Sequence, residues 1–102
     1  MPIRWSAVRV SEALDMIEGY VQQAAEPMEQ AKVVAQAALE IPNLPQYISD
    51  CFYRLIGGVE LAIGGGRMEQ VGRLRATIEA ARERIPAGAI EADHTGKIER
   101  MF

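Results

Sequence analysis

Apolar residues recur along the first forty positions at spacings of three and four. Ala7, Val10, Leu14, Ile17, Val21, Ala24, Met28, Ala31, Ala35 and Ala38 form one continuous seam. A strand would alternate every second residue, so this seam predicts a helix with one buried face. Asp15, Gln22, Glu26, Glu29, Gln36 and Glu40 fall on the other side, where water can solvate them. Ser6 and Ser11 are both plausible N-caps, because a hydroxyl accepts a free N–H of the first turn. With Ser11 as the cap, Glu12 and Asp15 would sit near the positive end of the helix dipole.

Pro27 lies inside the seam. Within a helix, proline removes one hydrogen bond and clashes with the preceding turn. The helix can stop near Glu26 and restart with Pro27 in its first turn, or continue with a kink. The seam keeps its phase through Ala24, Met28 and Ala31, which favours one long kinked helix. Ile41-Pro42-Asn43-Leu44-Pro45 ends it, since a residue before proline is pushed toward extended backbone.

A second helix is predicted from Pro45, with Ile48, Cys51, Phe52, Leu55, Ile56, Val59, Ala62 and Ile63 on a wide apolar face. Gly57 and Gly58 weaken it. They either permit a close backbone approach or end the helix, leaving 59–63 as a short strand; the continuous helix is favoured. Gly64-Gly65-Gly66 is the strongest stop in the chain. A third helix follows, with Met68, Val71, Leu74, Ile78, Ala81 and Ile85 on one side, and Pro86 closes it. The second and third helices therefore read as an antiparallel hairpin.

The last stretch differs. Ala89-Ile90-Glu91-Ala92 and Lys97-Ile98-Glu99-Arg100 flank Asp93-His94-Thr95-Gly96, a sequence suited to a short turn. It predicts either a small C-terminal β-hairpin or a flexible tail. The expected architecture is thus all-α: a long kinked N-terminal helix plus a helical hairpin, within one domain spanning 1–102. Residues 1–10 would form an N-terminal arm and helix start, and 86–102 the tail or hairpin.

Composition narrows the function classes. The 102 residues are 49% apolar and 25% charged, as in an ordinary folded domain. Fifteen are alanine, so the core of one chain would be thin. The net charge of −3 ranks a general nucleic-acid binder low. One Cys and one His cannot supply a four-ligand zinc site or an internal disulfide. No apolar run approaches a membrane span, and the first residues lack a secretory pattern, so a cytoplasmic protein is expected.

Sequence motifs add little chemistry. Neither a phosphate-loop pattern nor a dinucleotide fingerprint fits the glycine triplet, where Glu69 takes the place of the fingerprint's last glycine. Gly65, Gly66 and Arg67 remain a weak anion-site candidate at a helix start. His94 reads as an exposed turn residue and Cys51 as a buried packing thiol. No catalytic set, metal site or cofactor is expected.

Charge is uneven along the chain. Residues 1–50 carry three Lys/Arg against seven Asp/Glu, whereas 67–84 carry five Arg against three Glu. Arg75 and Arg82 flank the seam of the third helix. Arg73 and Arg84 lie elsewhere on the surface. These arginines either give a weak basic face for nucleic acid or another anion, or meet the acidic first helix across an interface. The second arrangement is favoured.

Length suggests assembly. A helix of thirty residues would reach ~45 Å, and a hairpin of about 18 residues per arm only ~27 Å. A short hairpin could not cover so long a seam, and long apolar stripes are rarely left bare. The expected function is therefore non-enzymatic, acting through homo-oligomerisation and protein–protein contact as a scaffold or regulator. Leu14, Ile17, Val21 and Met28 would form the interface of a homodimer or higher oligomer, with a different protein partner as a variant. The alternative is a ligand- or nucleic-acid-binding regulator using the arginine-bearing third helix.

Overall fold

The computed structural model describes residues 4–23 and 27–91, with backbone alone at 27 and 66–68. The fold is all-α. Among the described residues, four main helices run in the order α1 (Ala7–Gln23), α2 (Pro27–Ala38), α3 (Gln46–Leu61) and α4 (Arg67–Glu83).

Ser6 is the cap that α1 uses. Its Oγ accepts the Arg9 N–H at 3.2 Å, which satisfies a donor with no partner inside the helix. With Ser6 in this role, no acidic residue stands in the first turn, so Glu12 and Asp15 lie too far along to serve the dipole.

Two helices replace the single long one expected from the seam. Pro27 opens α2, a position where its missing N–H costs nothing. α1 and α2 pack against each other, and a three-residue link lets them do so only by folding back. The preserved phase across Pro27 has a different cause from the one inferred. Both helices turn their apolar faces to the same core, so the seam stays in register through the reversal.

The end of α2 tightens into a turn, where Ile41 N–H donates to the Ala38 carbonyl at 3.1 Å. Asn43 then takes a left-handed conformation at φ 61°, which asparagine tolerates better than most residues. Its Nδ2 donates to the Arg4 carbonyl at 3.3 Å, tying this loop to the segment before α1. Pro45 stands one residue before α3, in extended backbone at the N-cap. Its carbonyl accepts the N–H groups of Ile48 and Ser49, each at 3.0 Å.

α3 runs unbroken through both internal glycines, so 59–63 does not form a strand. The wide glycine turn Ala62–Gly66 follows, and the helical path breaks at Gly65, with φ 124°. A side chain rarely adopts that conformation. α4 returns against α3, as the sequence predicts. Pro86 lies beyond its last turn, and 89–91 form one further helical turn. The first part of the proposed β-hairpin is therefore helical up to Glu91. The Asp93–Gly96 turn and Lys97–Arg100 lie outside the described residues.

Each helix has two neighbours: α1 packs on α2, α2 on α3, α3 on α4, and α4 closes onto α1. Phe52, Leu14, Ile17, Met28, Ile48, Leu55, Leu74 and Ile78 fill the centre. The molecule measures 48 × 24 × 20 Å. α3 approaches α4 closely at Gly58, where an added Cβ would stand 2.7 Å from Leu74 Cδ2. At Gly57, one residue earlier, a Cβ would meet nothing within 4 Å.

These neighbouring glycines should respond differently to substitution. Gly57→Ala is expected to raise stability by about 1 kcal/mol through helix propensity. At Gly58 the same gain is offset by displacement of the buried Leu74. Gly58→Val should cost about 1–3 kcal/mol through overpacking. Thermal unfolding followed by circular dichroism measures both. Equal effects at the two sites would contradict the close approach.

Candidate functional site

Leu14, Ile17 and Val21 on α1 and Met28 on α2 are 0–1% exposed within the single chain. The residues assigned to an oligomer interface are thus covered by this chain's own helices. A single rigid helix would have left a seam of ~45 Å to cover. Folding at Pro27 halves that length and turns the seam inward, where α3 and α4 complete its cover.

Gly65 and Gly66 build the reversal between α3 and α4, and Arg67 begins α4. The positive φ of Gly65 accounts for a glycine there without any ligand. The side chain of Arg67 lies outside the described residues, as does His94. Cys51 is buried on α3, and its Sγ donates to the Tyr47 carbonyl at 3.3 Å one turn back. That is the packing role expected of it. Among the described residues, no group of three or more His, Cys, Asp or Glu is placed to hold a metal ion. Among them too, no helix is long and apolar enough to cross a membrane.

The arginines divide by position around α4. Arg82, in the last turn, reaches across to the middle of α1. Its Nη1 donates to Glu18 at 2.7 Å and to Glu79 at 2.8 Å, and its Nη2 donates to Asp15 at 2.7 Å. The flat guanidinium has enough N–H groups, splayed in one plane, to serve three carboxylates at once. The hydrogen bond that Arg82 donates to Glu18 is the main cause that raises its pKa above the ordinary value. Partial burial opposes it, and Asp15 and Glu79 add to it. Arg82 is therefore a structural clamp between α4 and the acidic side of α1, as the charge distribution suggested.

Arg84 lies over the Tyr47 ring, 5.9 Å from its centre, and joins the end of α4 to the start of α3. Arg73 and Arg75 are exposed. Two residues apart on a helix, they point roughly 200° away from each other. The four arginines do not converge on one exposed face. A separate ion pair, Lys32 Nζ to Glu60 Oε1 at 2.9 Å, bridges α2 and α3.

One surface was missed by the periodicity argument. Tyr53, Gly57 and Leu61 lie four residues apart on the side of α3 opposite Phe52, Leu55 and Val59. Tyr53 and Leu61 are each 60% exposed, and Gly57 between them leaves the helix backbone bare. Ile63 in the glycine turn is 48% exposed, although the seam placed it on the buried face. Ile63 lies past the last residue of α3, at the tip of the hairpin just before the break at Gly65. Asp50, Arg54 and Glu60 flank the Tyr53–Leu61 row and are all exposed. The signal for this row was present as a second, shorter run within α3, spaced by four. The stronger period of the core masked it.

Comparison of the chain with protein-family models, with curated proteins and with solved structures gives no match.

Proposed function

We propose that this protein is a non-enzymatic helical module that works through protein–protein contact, with a self-associated form as its working state. The observation that carries this reading is the exposed row Tyr53–Gly57–Leu61 on the outer side of α3. It supports a contact surface other than the α1–α2 seam, whose residues are buried within the chain.

Scattered apolar residues on a surface need no explanation. Two large ones at helical spacing, separated by a glycine, form a shallow strip that suits a second helix. Covering a side chain such as Leu61 contributes about 1.5–3 kcal/mol. A second copy of the chain is the occupant we favour. The flanking charges have both signs, acidic at Asp50 and Glu60 and basic at Arg54, so the face is not strongly repelled by itself. Two-fold pairing is also the commonest closed assembly.

Sedimentation of the full chain tests this directly. The wild type should be dimeric at micromolar concentration, and Leu61→Glu should be monomeric with the same helix content by circular dichroism. Tyr53→Glu should act in the same direction. A wild type that stays monomeric would overturn the self-association. A dimer insensitive to both substitutions would remove this face from the interface.

A further inference from the structure

We draw no further inference here: the strongest candidate, the exposed apolar tip of the α3–α4 hairpin at Leu61 and Ile63, runs into the face already described, and nothing in the structure shows what covers it.

Discussion

Val21→Asp should abolish the native fold at neutral pH. Val21 is 0% exposed, in the last turns of α1, and belongs to the cluster that includes Leu14, Ile17 and Met28. A carboxylate placed there would be buried among apolar side chains. Burying an unpaired charge is costly enough that the chain must neutralise it or expose it. Small domains are stable by only about 5–15 kcal/mol. This core also relies on Ala31, Ala35, Ala38 and Ala81, which each bury little area.

The expected result is loss of the helical signal, or a Tm fall large enough to leave a mixed population. Charge and lost packing can be separated by pH. Burial raises the pKa of the introduced carboxyl above its unfolded value of about 3.9, so its penalty is absent below that pH and grows as pH rises above it. Relative to wild type measured at the same pH, the variant should therefore recover in acid. Val21→Ala, which makes a small void without a charge, should lose less stability and show no such recovery. A fully folded Val21→Asp monomer at neutral pH would mean that α1 does not sit against the core as described.

Arg82→Ala should give the second large effect, by a different route. Removing the guanidinium leaves Asp15, Glu18 and Glu79 near one another with no cation between them. Asp15 and Glu79 keep access to solvent, with side chains 65% and 62% exposed, while Glu18 is only 31% exposed. Water and salt therefore reduce the penalty, and we expect a loss of about 1–2 kcal/mol, beyond an isolated surface pair because three carboxylates share one cation.

The loss should shrink at high salt, where repulsion among the orphaned carboxylates is screened. Arg82→Lys should restore part of it, since one ammonium cannot match the planar, three-way geometry. Asp15→Asn should cost less than Arg82→Ala, because it removes one partner and leaves two. Denaturant unfolding of the four proteins at low and high salt provides the comparison. A loss for Arg82→Ala that does not depend on salt would point to packing of the arginine stem and against the ionic clamp.

The parts of the fold that are local in origin were legible in the chain. The glycine triplet, Pro45 and Pro86 mark boundaries through backbone chemistry, and the structure places helix ends beside each of them. The buried faces of α1 and α4 follow from spacing alone. Pro27 was harder. Its local chemistry allows both a kink and a new first turn, and the choice depends on whether folding back buries more surface. That is a tertiary question, and the in-phase seam is compatible with either answer. The length of seam left to cover depends on the same choice.

The candidate contact surface was less legible for a related reason. Tyr53 and Leu61 look like ordinary members of an apolar helix until the opposite face is seen to be full. The Arg82 clamp was half visible. Charge imbalance pointed from the third helix to the first, but only the packing shows that Arg82 rather than Arg75 meets Asp15 and Glu18.

The ring of four helices has a kinetic meaning. Three of its four contacts join consecutive helices through connections of three to seven residues, so most native pairings are local in sequence. Chains rich in such contacts reach their folded state quickly. The contact between α1 and α4 is the exception, since the whole intervening chain must be ordered or looped to bring its ends together. Closing a longer loop adds entropy cost slowly but steadily. Two helical hairpins can thus form early and dock late, with Arg82 joining them in the final step. Interactions made only after the transition state govern how fast a protein opens and leave its folding rate nearly untouched. On this order of events the clamp acts as a latch on escape, setting how long the closed ring survives rather than how soon it forms.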